Sequence, residues 1–418
     1  MKEKFSRNVF RYAAVTALLG MSYSPLYLNT YDRIILNTFS IHEGVRTHIF
    51  TVLGFSLPLL LVIIGGIVAD IYGRRRVWAL AVCAFGVGSL WLYNSASVPD
   101  SAIFVSGIAI IILLSMFTAW KNGSIAWLFD HEGREGIAIA HGVLFLLVSV
   151  FILSGYVVHT LDPDWVPSSL VYTLQYVGIL LVGIYMITFP ENYGNQHGSF
   201  RETGKEGLFQ CLSNRVVQLV GIHFFISGFS FSNSFLFISL LGTYNDPFFN
   251  VDFNTYFGIA YFCGFFFAGV LLFLIFLYVN PHSKYTNVII YPRLFMMALY
   301  FIIATIPSFP VFFIFHGVII VLSLISNVAI LMLMTQVIKK NLATVISLLV
   351  IPIFISSFLS YRGMSFSYGF GWDTLCILNG LLAAASLGIL LYAAGYNQKD
   401  EITMDTDTDI DTDEEIID

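Results

Sequence analysis

The sequence predicts an all-α membrane protein of about twelve transmembrane helices in two six-helix bundles. Of the 418 residues, 57% are hydrophobic and only 11% are charged, whereas soluble domains carry about 25% charged residues. Uncharged apolar runs of about 20 residues, the length that an α-helix needs to cross a bilayer, recur from end to end. Barrel strands would instead show about ten residues of alternating polarity. The composition therefore excludes a water-soluble fold and favours a multi-pass protein of the cell membrane.

Six apolar runs precede a polar stretch in the middle of the chain, and six follow it. The predicted spans of the first half are 11–31, 49–69, 77–96, 102–126, 137–160 and 169–189. Those of the second half are 216–241, 255–280, 293–309, 311–336, 342–361 and 372–396. The predicted domains are thus an N-terminal bundle (1–189), a cytoplasmic linker (190–215) and a C-terminal bundle (216–396). A disordered acidic cytoplasmic tail (397–418) follows.

The positions of the basic residues predict the orientation. With both termini inside, 16 of the 20 Lys and Arg residues fall in inner segments, and basic residues in short loops are held on the cytoplasmic side. An internal repeat supports two related halves. The loop after span 4 (FDHEGREGIA) aligns with the loop after span 10 (TQVIKKNLAT), which sets Asp130 opposite Gln336 and Arg134 opposite Lys340.

A charged turn follows span 2, where the chain reads Gly66-Ile-Val-Ala-Asp70-Ile-Tyr-Gly73-Arg74-Arg75-Arg76. Glycine permits a tight turn between antiparallel helices. Asp70 can accept hydrogen bonds from free amides at a helix start or pair with an arginine, and the arginines anchor the inner face. A charged loop that merely obeys the inside rule would explain the arginines, but it would not predict Gly and Asp at these spacings.

This segment resembles the signature between helices 2 and 3 of the major facilitator superfamily, although Ile71 stands where a basic residue is usual. Residues 119–138 are similar to the end of helix 4 and the following loop in that superfamily. The resemblance implies an inner gate in which the arginine pairs with an acid at the end of helix 4. Carried over, the gate residues are Gly66, Asp70, Gly73, Arg74, Arg75, Asp130 and Arg134.

Lys121 is the most notable polar residue inside a predicted span. It lies nine residues before Asp130, which places it about 13 Å into the bilayer. A charged group there is unfavourable unless it faces a wet cavity or a partner. Three interpretations stay open: contact with a substrate or coupling ion, a structural ion pair, and a misplaced helix boundary. Asn122 could line the same cavity.

Other polar residues are candidates for substrate or coupling contacts. If helix 1 continues to about Phe39, Asp32 resembles the acidic residue that many superfamily members carry in helix 1; otherwise it forms a solvated pair with Arg33. His223 suits a proton relay or a hydrogen-bonded packing role. Helices 1, 4, 7 and 10 line the cavity in the resembled superfamily. Neutral groups on three of them, each of which could instead bond a neighbouring helix, are Asn29, Asn233 and Asn327.

The leading functional hypothesis is secondary active transport of a small organic solute by alternating access. Lys121 favours an anionic solute, and a coupled proton is left open. One alternative is multidrug efflux, since 16% of the residues are aromatic; another is a non-transporting receptor or scaffold. No ATP-binding or hydrolase motif is present, so we expect no enzyme activity. The expected partners are the solute and the lipid bilayer, with no cofactor, metal or nucleic acid.

Overall fold

The computed structural model describes residues 6–30, 57–95, 100–161, 168–241, 253–278, 285–306, 309–338, 340–367 and 372–408. Within these ranges the chain is helical apart from short turns and connections, and it contains no strand. The all-α prediction is confirmed. By length and hydropathy alone, four described segments qualify as membrane spans: Gly123–Leu153, Asn287–Thr305, Phe313–Val337 and Asp373–Ala393. The first of them contains Gly133, where the helix is broken.

The first half supplies six helical spans from five helices. These are α1 (Arg7–Thr30), α2 (Leu57–Tyr72), α3 (Arg74–Ser95), α4 (Asp100–Leu161) and α5 (Ser168–Tyr185). The chain of α4 reverses at Gly133, whose φ of 63° is left-handed. Tyr12 of α1 hydrogen-bonds both Ser124 and His141, which a straight helix would hold about 25 Å apart. We therefore treat 100–132 and 134–161 as two antiparallel arms of α4.

The second half follows a short helix, α6 (Phe200–Ser213). Its helices are α7 (Arg215–Leu241), α8 (Phe253–Tyr278), α9 (Tyr285–Thr305), α10 (Phe309–Val337), α11 (Leu342–Ser367) and α12 (Trp372–Thr408). Two boundaries differ most from those predicted. Helix α9 begins eight residues before 293, and α12 continues past 396 into the segment predicted as a disordered tail. Extending an existing helix needs no new nucleation, which helps α12 to continue into a polar sequence.

Helix α6 lies in the segment predicted as a linker, and its start is fixed by a capping box. The Ser199 hydroxyl accepts a hydrogen bond from the backbone amide of Glu202 at 3.2 Å, and the Glu202 carboxylate accepts one from the Ser199 amide at 3.2 Å. This reciprocal pair satisfies two amides that the first turn leaves free. The buried face of α6, at Thr203 and Gly207, packs against α11.

The two halves meet along two helix crossings, α2 with α11 and the second arm of α4 with α8. In each crossing the second helix of one half, α2 or α8, meets the fifth span of the other half. One buried apolar cluster runs across the first crossing and contains Ala69 and Ala126 of the first half with Val217, Leu342 and Ala343 of the second. We call the end of the bundle that carries the α2–α3 turn the motif end.

Candidate functional site

Two glycines of the predicted motif set the backbone at the motif end. Gly73, between α2 and α3, has a φ of 107°, and a side chain there would meet the Glu191 carboxylate. Gly66 lies where α2 crosses α11, and an added Cβ would fall 2.7 Å from the carbonyl oxygen of Ala343 and collide with the side chain of Ser347. Glycine therefore allows both the turn and the close contact between the two halves.

Arg74 is the centre of a buried ionic group and is only 3% exposed. Its Nε and Nη2 atoms donate to Oδ1 of Asp70 at 3.0 and 2.7 Å. Its Nη1 atom pairs with the Asp130 carboxylate and lies 3.4 Å from the carbonyl oxygen of Ala126. One guanidinium thus joins the α2–α3 turn to the end of the first arm of α4, with geometry suited to a planar, always charged group.

Asp70 also reaches the other half of the protein. Its side chain is fully buried, and Oδ2 accepts hydrogen bonds from the backbone amide of Thr344 at 2.8 Å and from its hydroxyl at 2.7 Å. Because α11 begins at Leu342, Thr344 is the third residue of the helix, whose amide has no partner within the helix. Asp70 therefore serves as an N-cap supplied by another helix, and its negative charge is favourable at the positive end of α11.

The residue that would normally cap α11 is turned elsewhere. Asn341 precedes the helix with a left-handed φ of 52°, and its Nδ2 atom donates to Glu206 of α6 at 2.8 Å. Its Oδ1 atom accepts no hydrogen bond from a described residue. The N-terminus of α11 therefore depends on Asp70 of the first half. We call Asp70, Arg74, Asp130 and Thr344 the Arg74 cluster.

The segment after α5 ties the α2–α3 turn to the start of the linker. Glu191 accepts hydrogen bonds from the backbone amide and Nε of Arg75 at 2.9 and 3.1 Å, and its carboxylate also pairs with the exposed Arg76 at 3.4 Å. Arg75 further donates to the carbonyl oxygens of Ile187 and Phe189 at 2.7 and 2.8 Å. The second arginine of the motif thus holds the end of α5.

Residues 192–195 continue this contact over the Arg74 cluster. The backbone amides of Gly194 and Asn195 donate to the carbonyl oxygen of Asp70 at 3.0 and 2.8 Å. The backbone amide of Arg74 in turn donates to the carbonyl oxygen of Asn192 at 3.0 Å. The Asn192 side chain also bonds the Asp130 carboxylate. In contrast, the partly exposed Arg134, also predicted to belong to the gate, makes no ion pair with any residue in the described ranges.

A second buried polar group lies within the second half. Arg293 of α9 is 5% exposed, and its Nε and Nη2 atoms donate to the Ser326 hydroxyl at 2.9 Å and to Oδ1 of Asn327 at 2.8 Å. No carboxylate of the described residues pairs with it. A basic residue at a helix centre costs about 2.5–3.5 kcal/mol on insertion scales, so a cation so held is a functional candidate by default.

His223 lies in the same half and is fully buried. Its Nδ1 atom is 2.7 Å from the Ser386 hydroxyl of α12, and its Nε2 atom is 3.3 Å from the Ser227 hydroxyl one turn along α7. Both ring nitrogens have hydrogen-bonding partners, an arrangement that serves packing as well as it serves a relay.

The remaining predicted site residues lie outside the described side chains. Asp32 is outside the described ranges, and four others belong to described helices whose backbone alone is placed at those positions: Asn29 in α1, Lys121 and Asn122 in α4, and Asn233 in α7. The two polar groups also contain residues that were not predicted from the sequence, among them Glu191, Thr344 and Arg293.

The helices and the polar group at the motif end define a class, the polytopic α-helical membrane proteins with a six-plus-six arrangement. No family model matches the sequence, and no curated protein matches it either. Solved structures do match. The human organic anion transporter MFSD10 aligns with a TM-score of 0.63 at 15% identity, over 92% of this chain and 97% of that chain.

Two bacterial sugar transporters align equally well. The major facilitator superfamily transporter FucP, a fucose:proton symporter of E. coli, gives a TM-score of 0.64 at 14% identity over 92% of this chain and 96% of its own. The proton:xylose symporter XylE gives 0.62 at 11% identity over 91% and 94%. The chain has the fold of the major facilitator superfamily, which confirms the resemblance predicted from the sequence at the level of the fold.

Proposed function

We propose that this protein is a secondary active transporter of the cell membrane that moves a small organic solute by alternating access. The observation that carries the proposal is the bond from Asp70 of the first half to the N-terminus of α11 in the second. Alternating access requires the two halves to separate at each end of the bundle in turn. A charged, reversible contact between the halves, rather than apolar packing alone, is suited to that movement.

The Arg74 cluster acts in this proposal as the latch of the motif end. When the halves part, Thr344 leaves Asp70, while Arg74 keeps its two carboxylates within the first half. The N-terminus of α11 then loses its cap, which opposes opening by about 0.5–2 kcal/mol. A difference of this size leaves both states populated and allows a solute to shift the balance.

The solute class follows from the polar residues inside the spans. Lys121 in α4 and Arg293 in α9 are cations in apolar helices, and cations there favour an anionic solute. One of the similar structures is an organic anion transporter, whereas the other two are proton symporters for sugars. A proton is therefore our proposed coupling ion, with His223 as the group to test.

The proposal is tested by measuring the separation of the halves at the motif end. Spin labels are attached at Tyr72→Cys and Lys340→Cys, both exposed positions, in a variant whose native cysteines are replaced. Double electron–electron resonance should give a short distance between the two labels for the closed state. It should also give a second, longer distance, whose population rises in Asp70→Asn. A single short distance in both proteins, even with candidate solutes, would instead favour a non-transporting receptor or scaffold.

Transport itself is measured in proteoliposomes with labelled carboxylates, organic phosphates, sugars and lipophilic cations, at imposed pH gradients. Uptake of an anion that is driven by the gradient would support the proposed class. Movement of lipophilic cations alone would replace it with multidrug efflux. The Arg215→Gln variant serves as a control, because Arg215 is exposed at the start of α7 and forms no ion pair with a described residue.

A further inference from the structure

The guanidinium of Arg293 has more donors than the described structure uses. An arginine carries five N–H groups and accepts no hydrogen bond. Arg293 directs one donor to Ser326 and one to Asn327, which leaves three without an acceptor among the described residues. Both acceptors that it does have are neutral, so the charge is solvated in part but not compensated.

Asn327 lies at the border of the packed bundle, unlike the residues on either side of it. Its side chain is exposed, whereas Ser326 and Val328 are buried. By helical spacing, His316, Ser323 and Asn327 fall on one face of α10. A polar stripe of this kind is unfavourable against lipid and is expected to face protein or water. This face of α10 is turned towards α9, whose Arg293 bonds Asn327, and the exposed Asn327 side chain leaves the pair open at the edge of the packed helices.

The position also corresponds to the place where the sequence sets Lys121. The alignment that pairs Asp130 with Gln336 and Arg134 with Lys340 pairs position 121 with position 327. Counted along their helices from the motif end, Arg293 lies about 12 Å and Asn327 about 15 Å into the bundle. In the second half the cation is therefore Arg293 of α9, and its guanidinium bonds Asn327, the α10 residue that aligns with Lys121.

We propose that Arg293 and Asn327 form a binding site for the oxyanion group, carboxylate or phosphate, of a small solute. The anion accepts hydrogen bonds from the unused guanidinium donors and from the amide of Asn327, while Ser326 holds the guanidinium in place. A guanidinium fits a planar or tetrahedral oxyanion with two parallel hydrogen bonds, which an ammonium does not provide. The proposal rests on the proposed transport function and names the substrate class of that function.

The experiment compares thermal unfolding of the detergent-purified protein with and without acetate, succinate, inorganic phosphate, glycerol 3-phosphate and uncharged sugars. A ligand that binds only the folded state stabilises it by RT ln(1 + L/Kd) at ligand concentration L, so the unfolding temperature rises with that concentration. The wild type should bind at least one of these oxyanions. The affinity of Arg293→Gln for the same oxyanion should be about 10- to 100-fold lower, the loss expected for hydrogen bonds to a charged group. Arg215→Gln, which removes an exposed cation at the start of α7, is the matched control and should bind as the wild type does.

Asn327→Asp separates binding from a purely structural role. It places a carboxylate on the guanidinium, so the variant should be at least as stable as the wild type and yet lose the oxyanion response. If no oxyanion stabilises the wild type, or if Asn327→Asp and Arg293→Gln respond as the wild type does, the proposal is wrong. A protein that fails this test and still opens at the motif end, or still takes up a neutral sugar, keeps the proposed transport function.

Discussion

The carboxylate of Asp70 and the backbone amide of Thr344 join the two halves of the protein, at 2.8 Å, across 274 residues of sequence. The same carboxylate holds Arg74 through its other oxygen. One side chain thus belongs to a rigid ionic group within the first half and to a contact that opening would break. This double role makes Asp70 the residue at which stability and conformational change should be most closely linked.

Replacing Asp70 by Asn should destabilise the protein more than replacing Asp130 by Asn. The introduced amide would keep an oxygen for the Thr344 amide but would leave the buried Arg74 with one carboxylate, and breaking a buried ion pair costs about 3–5 kcal/mol. The Asp130 side chain is 29% exposed, so solvent screens its loss and the cost should be smaller. Thermal unfolding in detergent measures both; equal losses would contradict the central place given to Asp70.

Substitutions of Thr344 test the contact from the other side. Thr344→Val removes the hydroxyl that bonds Asp70 at 2.7 Å and should lower the free energy of unfolding by about 1–3 kcal/mol, because a charged acceptor is left short of a donor. Thr344→Ser keeps the hydroxyl and should lose much less. The spin-label distance should lengthen in Thr344→Val alone; the same distribution in both variants would show that the hydroxyl does not hold the halves together.

The sequence identifies the first-half part of this group because its signals are local. Asp70 and Arg74 are four residues apart around a glycine turn, and Asp130 follows an apolar run of the length of a span. The structure brings these three together, although their action as a gate stays a prediction. Thr344 carries no comparable signal. It is an uncharged residue in the first turn of an apolar helix, and only the packing of α2 on α11 makes it a partner.

Arg293 was not predicted as a site residue because its charge was interpreted as a helix boundary. The sequence rule takes a charge as the end of a span, so the ninth span was predicted to begin at 293, whereas α9 begins at Tyr285. The rule fails there because Ser326 and Asn327 of the next helix bond the guanidinium inside the bundle. A polar pair at the matching depth of the neighbouring span is a signal that could have revealed it.

Gly66→Ala should favour the open motif end. The added methyl group would lie 2.7 Å from the backbone oxygen of Ala343, and backbone cannot move aside as a flexible side chain can. The two helices must therefore separate, and the longer spin-label distance should gain population. Gly388→Ala is the control, since nothing lies within 4 Å of a Cβ at Gly388, and it should leave the distances unchanged. An unchanged distribution in Gly66→Ala would show that the crossing is not close in the membrane.

Cys211 offers a test of the packing of α6 against the bundle. Burial raises the pKa of its thiol from 9.0 to about 11, and the thiolate is the form that reacts with iodoacetamide. At pH 8 the thiolate fraction should be about 100-fold lower than in the unfolded chain, and the higher nucleophilicity of a more basic thiolate should recover about tenfold. Alkylation in a variant that retains Cys211 alone should therefore be about tenfold slower in the folded protein.

The pH dependence gives this prediction its sign. Because the folded pKa is the higher one, the neutral thiol is favoured in the folded state, and Cys211 should stabilise α6 packing less as pH rises from 9 towards 11. The alkylation rate of the folded protein should keep rising over this range, while that of the urea-unfolded chain levels off above pH 9. A folded-state rate that levels off with the unfolded one would mean that α6 does not pack its Cys211 face against the bundle, and the linker would then be free of the motif end.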